Sequence, residues 1–387
     1  MHNLKRILLS LIPLVISACS GQHAIKTLDH QNQADVINYI DNTTPTVISK
    51  NKKLTFDKFI AEITDSRAIF VGEIHNRYDN HLNQLAILKA LHQQNSNIAI
   101  GVEWFQQPYQ WVVNRYLNGS INEAQLLKKS EYYRRWQYPY AMLRPILLYA
   151  KQHKIPVIAL NAPVELTRKV GKSGLTSLTP KQRKQLPTVI HPPEKNYRNK
   201  LESIFKEHSK SEKMLENFIT VQRIWDETMA MNTAKFLKKH PKHHIIIFAG
   251  NGHISDNVGI PADLRRQLNV KTRTISSGTK QEKSQANSVD YYVINEAVSL
   301  PKLGKMGVML KTEDQYVLIS AVLKGSAAEK AGIEKGDRLQ SIDGKMVHNM
   351  TDFKLQLNGK RANDTVMLQI LRKSHQPQLL PIKLILQ

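Results

Sequence analysis

The chain has 387 residues, of which 41% are hydrophobic and 22% charged, and its formal net charge is +23. That length holds two domains, and that balance excludes wholesale disorder. The positive charge is spread along the whole sequence with no zinc finger, RNP motif or basic-aromatic stripe, so it reads as a solvated basic surface rather than a nucleic-acid interface.

Residues 1–18 join a basic start (Lys5, Arg6) to an apolar run from Ile7 to Ile16, the build of a secretory signal peptide. The run is shorter than the roughly 20 residues a crossing helix needs. Ile16-Ser17-Ala18-Cys19 looks like a lipobox, which makes Cys19 the expected lipidation site and the membrane a partner. Ser20 after it resembles the pattern for sorting to the outer membrane. Cys19 is the only cysteine, so no internal disulfide can form. Residues 19–50 are polar and aperiodic and read as a tether.

From 51 to 278 the pattern changes. Short continuous apolar runs at Ala68–Val71, Ile98–Val102, Val157–Leu160 and Ile245–Ala249 suit strands buried on both faces of a parallel sheet. Helical periodicities lie between them, at Leu82–Lys89 and Met142–Tyr149. The expected fold is therefore α/β, an open and mostly parallel sheet with helices on both faces. Residues 165–240 break the rhythm and read as a helical insertion. Four of the runs end in polar groups: Glu73 and His75, Glu103, Asn161, and Asn251 with His253. In such sheets ligands bind beyond the carboxyl ends of the strands, so these six side chains are expected to share one crevice. Histidine with carboxylate suits a divalent metal or general acid–base work. His75, Glu103 and His253 form the expected metal set, and the same three with Glu73 the catalytic set if the chain is an enzyme. The plainer alternative is that these groups brace the loops by hydrogen-bonding one another.

Gly72-Glu73-Ile74-His75, Glu103 and Gly250-Asn251-Gly252-His253 resemble the GxxH, Glu and GNxH pattern of the Tiki/ChaN/erythromycin-esterase-like superfamily. The likeness to its ChaN branch runs on through Arg134–Tyr140, Leu143-Arg144-Pro145, Ala159–Pro163 and Gln222–Ala230, covering roughly 50–275. The resemblance implies haem held between two subunits of a homodimer, with a tyrosine on the iron and basic or histidine groups on the propionates. Phenolate is a recognised haem ligand, and arginine pairs well with carboxylates. It directs attention to Tyr138, Tyr140 and Arg144, with His75, Asn161, Asn251 and His253 beside them; Tyr132, Tyr133 and Tyr197 are rival tyrosines, and His191 or Lys195 alternative propionate partners. Some relatives in the superfamily are metal-dependent hydrolases, which keeps a second reading open, although neither GxSxG nor HExxH occurs.

After a polar linker (279–299), residues 300–387 carry a different signature. Ala327–Ala331 makes a short helix that Gly332 ends, Asp343-Gly344 a hairpin turn, and Met350–Leu357 an amphipathic helix. The segment resembles bacterial PDZ domains, which implies binding of a peptide or protein C-terminus on Met306-Gly307-Val308-Met309. Three functions follow: a haem-binding outer-membrane lipoprotein for iron uptake with a docking module, a metal-dependent hydrolase, or a non-catalytic envelope scaffold.

Overall fold

The computed structural model describes residues 25–206, 212–313, 316–373 and 376–387, so the expected signal peptide and Cys19 lie outside the described residues. The first domain is built on an eight-stranded sheet. Its strands are β2 (Thr46–Ser49), β3 (Lys52–Leu54), β4 (Ala68–Glu73), β5 (Ile98–Gln106), β6 (Val157–Asn161), β7 (His244–Gly250), β8 (Thr272–Gly278) and β9 (Tyr291–Ile294), in the spatial order β3-β2-β9-β8-β4-β7-β5-β6. The six strands from β9 to β6 run parallel, and β2 and β3 close the edge antiparallel. A small parallel pair, β1 (Lys26–Thr27) with β10 (Val298–Ser299), lies apart from it.

Every residue of β4 and β5 is buried, as expected of strands covered on both faces. Alternation along each strand sorts them between two cores. Ile69, Val71, Ile100, Val102, Ile246 and Phe248 face one side, where α3 (Tyr78–Gln94) and α7 (Arg144–Gln152) pack. Ala68, Phe70, Ala99, Ile245, Ile247 and Ala249 face the other, against α11 (Glu212–Lys239) and α12 (Ile260–Gln267). The sheet is thus the doubly covered layer that the apolar runs imply.

Three expectations need correction. The tether is not wholly structureless: α1 (Gln33–Asp41) buries Val36, and β2 buries Val47 and Ile48 against β9. The linker supplies β9, with Tyr291, Tyr292 and Val293 buried, so the domain continues past 278. Polar flanks hide both strands in the sequence, and pairing partners about 245 residues apart create them. Nor is 165–240 all insertion. Helices α8 (Val164–Ser173), α9 (Pro180–Arg183) and α10 (Lys195–Lys206) lead into α11, whose Ala230, Thr233, Ala234 and Leu237 form the stripe of a crossover helix on the sheet. At 28 residues α11 is about 42 Å long, so its first turns overhang the sheet.

The second domain is a β-sheet of order β11-β12-β13-β15-β16, where β11 is Val308–Glu313, β12 Tyr316–Val322, β13 Arg338–Ile342, β15 Thr365–Arg372 and β16 Gln378–Ile385; β14 (Lys345–Met346) pairs on β13. Its neighbours are antiparallel, and α13 (Ala327–Lys330) and α14 (Met350–Leu357) fall where the sequence puts them. Gly307 has φ +76°, and a β-carbon there would lie 2.2 Å from Ser326 Cβ, so the turn into β11 requires glycine.

Ile247 is fully buried in β7, between β4 and β5. Ile247→Ala is expected to destabilise the first domain by about 2–5 kcal/mol, read from urea unfolding curves.

Candidate functional site

The carboxyl edge of β4, β7 and β5 gathers the site. Glu73, the last residue of β4, is almost wholly buried, and a carboxylate there needs partners. The indole Nε1 of Trp104 donates to its Oε1 at 3.2 Å, His75 Nδ1 lies 2.9 Å from the same oxygen, and His81 Nδ1 lies 2.9 Å from Oε2. Burial alone would raise the Glu73 pKa, but His81 and His75 outweigh it and hold the carboxyl well below the usual range. The loop that delivers His75 is pinned as well. Asn80 Oδ1 accepts from the Ile74 amide at 3.0 Å, and the Arg77 guanidinium grips both oxygens of Asp79 at 2.9 Å. With Nδ1 committed to Glu73, His75 presents Nε2 to the site.

Glu103 reaches the edge by a break in register. Val102 pairs with Ala159, yet Gln106 pairs with Asn161, so β5 bulges over residues 103–105. Asn161 Nδ2 donates to the freed Glu103 carbonyl at 3.1 Å, and Glu103 Oε2 accepts the Gly250 amide at 2.8 Å. Asn161 therefore braces the bulge rather than reaching a ligand. Gly250 is small for a reason: a β-carbon there would sit 2.8 Å from His75 Cε1 and 3.7 Å from Glu103 Oε2. Asn251 accepts from the Ser276 hydroxyl through Oδ1 at 2.8 Å, and its buried Nδ2 has no partner among the described residues.

His253 closes the other side. Its Nδ1 meets Asp226 Oδ1 at 2.6 Å, and its Nε2 stands 3.6 Å from Glu103 Oε1. Burial opposes a charge on this ring, but Glu103 and Asp226 prevail and push its pKa up to about 9. Behind it, the middle of α11 carries a buried ionic cluster. Arg223 donates to Asp226 (3.1 Å), Glu227 (3.0 Å) and Asp263 (2.8 Å), and Tyr197 donates to Asp226 at 2.9 Å. Arg266 pairs with Asp263 and Glu227, and His191 Nδ1 lies 2.7 Å from Glu227. His81, Asp226, Arg223 and Asp263 are the site's supports that the strand-end reading missed. Arg223 and Asp226 stand in the run that carries the family resemblance, and His81 lies six residues after His75; only the packing gives them a role.

The expected metal set meets on this edge but fails as a ligand set. Among the described residues no group of three His, Cys, Asp or Glu side chains is spaced to hold a metal ion.

The tyrosines also separate. Tyr140 is buried and bonds Glu123 at 3.1 Å, and Arg144 bonds the same carboxylate and the His30 carbonyl; both lie apart from His75. Tyr132 is buried and donates to the Tyr138 carbonyl at 3.1 Å, and Tyr197 belongs to the ionic cluster. Tyr133 packs under Lys354, whose ammonium is 4.8 Å from its ring centre. Tyr138 is half-buried with its ring 4.8 Å from His75 and 5.4 Å from Trp136, and Trp136 lies 4.8 Å from His75. The indole nitrogen of Trp136 is buried without a partner among the described residues, which is unusual for tryptophan. Burial, then Glu103 and Glu73, raise the Tyr138 pKa. Lys195 is exposed.

Because His253 has a raised pKa in the fold, its contribution to stability is full below its ordinary 6.5 and is lost as pH rises through about 9. Thermal melting of the wild-type chain should therefore fall across that window, and Asp226→Asn should shrink the fall; equal slopes for the two proteins would contradict the pairing.

The family model for the haem-binding uptake proteins of the Tiki superfamily, ChaN, matches residues 59–264, and a PDZ-domain model matches 304–384. No curated protein matches the chain. Among solved structures, ChaN of Campylobacter jejuni with cofacial haem aligns over 65% of this chain and 97% of its own, at 16% identity and TM-score 0.53. An erythromycin esterase covers 65% and 83% at 14% identity and TM-score 0.37, and the PDZ domain of a Vibrio cholerae carboxy-terminal protease, solved with a peptide, covers 22% and 93% at 21% identity and TM-score 0.19. The last two scores are too low to define a fold. The family match spans more than half the chain, from before Glu73 to beyond His253, and with the C. jejuni fold beneath it the chain belongs to the ChaN family of the Tiki superfamily and ends in a PDZ domain.

Proposed function

We propose that this protein captures haem at the carboxyl edge of β4, β5 and β7, with Tyr138 on the iron and His75 beside it. The carrying observation is the ring wall: His75, Trp136 and Tyr138 pack mutually within 5.4 Å at a half-open edge, and Tyr138 alone among the five expected tyrosines sits against His75. The residues fit such a cargo. Flat rings suit a macrocycle, and the partnerless donors Trp136 Nε1 and Asn251 Nδ2 suit a ligand that brings acceptor oxygens. The raised pKa of Tyr138 means that ligation as phenolate must displace its proton, a task for a ferric centre. His75, braced by Glu73 and packed against the Tyr138 ring, would serve to accept that proton or to hydrogen-bond the bound oxygen. Haem between two copies would make dimerisation ligand-dependent.

The wider role extends this reading. The protein is anchored by lipid on Cys19 in the outer membrane, serves haem or iron uptake, and docks a peptide or protein C-terminus on the free edge of β11 through Met306–Met309. Support for docking comes from that edge: β11 pairs on one side only, Met306 is buried in the domain core, and Met309 is exposed. Support for the anchor is the lipobox-like run before Cys19.

Haemin titration tests the capture reading. A saturable Soret band is expected, Tyr138→Phe should shift it, and Tyr140→Phe should leave it alone; identical spectra for Tyr138→Phe and wild type would refute the ligand assignment. Glu73→Gln should weaken binding by about 10- to 100-fold by loosening His75. In cells, radiolabelled palmitate should enter the wild-type chain and not Cys19→Ser.

A further inference from the structure

The PDZ helix α14 has no exposed residue along its eight positions, although it lies on the surface of a small domain. One face explains part of this. Met350, Phe353 and Leu357 pack on the same core as Val308 and Leu310 of the edge strand β11. Three further positions meet the first domain. Asp352, 5% exposed, accepts from Lys128 of α5 (Glu123–Lys129) at 2.9 Å, and Leu355 packs against the first domain's core. Lys354 sits over Tyr133 in α6 (Tyr132–Arg135), and burial lowers its pKa.

From α6 the contacts run without a gap to the site. The Tyr133 and Tyr132 rings stand 5.2 Å apart, Tyr132 donates to the Tyr138 carbonyl, and the Tyr138 ring lies on His75. Two residues of chain, Trp136 and Gln137, join α6 to Tyr138. We infer that α14 positions the ring wall of the strand-end site, so that an occupant of the PDZ groove tunes ligand binding at Tyr138 and His75. The inference rests on the haem reading for its ligand, but its mechanical half stands on these contacts. Packed aromatic chains of this kind transmit small displacements because they lack voids to absorb them.

The test uses the full chain and two readouts: haemin titration, and amide hydrogen exchange over residues 132–138. Lys128→Glu and Asp352→Lys should each weaken haemin binding about five- to tenfold, the low end of usual coupling strengths, and speed exchange in that segment. The double swap should restore both. Val308→Trp, which presses on α14 from the groove side, should move both readouts in the same range. Unchanged exchange and affinity in both single variants overturns the positioning role, and an unchanged Val308→Trp overturns the link to the groove. Absence of a Soret band in the wild type would sink the haem reading, while the exchange data still decide the coupling.

Discussion

A buried carboxylate at the end of the central strand is the constraint on which the site depends. Glu73 cannot be left alone in an apolar interior, and its two oxygens meet an indole donor and two imidazoles. Each partner is thereby fixed: Trp104 on the bulge of β5, His81 on the first turns of α3, and His75 on the loop between β4 and α3. His75 owes its tautomer and orientation to this one charge. The compact Gly250 opposite leaves it the room.

A second charge cluster does similar work from the other side. The middle of α11 brings Arg223 and Asp226 to His253. Burial disfavours every charge in the cluster, and mutual pairing recovers it. Glu103 and Asp226 thus favour the charged form of the His253 ring against the cost of its burial. The strand-end polar residues that look alike in sequence divide between a ring wall around His75, an ionic rear wall around His253 and braces such as Asn161.

The two modules are not beads on a string. The segment between them is spent on β9 and β10, and the PDZ helix rests on α5 and α6 rather than on solvent. The N-terminal segment contributes too, through β1 beside β10 and the Asp29–Arg361 ion pair. The PDZ domain and the strand-end edge thus lie on one connected body.

What the sequence determined by itself was local. Continuous apolar runs announced doubly buried parallel strands, their terminal residues announced one shared edge, and the glycines and turns of 300–387 announced the PDZ domain, because periodicity and backbone chemistry need no distant partner. Tertiary structure decided the rest. Strands β2 and β9 exist only because they pair across the chain, and the role of α11 follows from the sheet it crosses. Tyr138 rather than Tyr140 meets His75 because Tyr140 is drawn into the core by Glu123. Two tyrosines separated by one residue carry no mark of which points inward; the packing around them makes that choice.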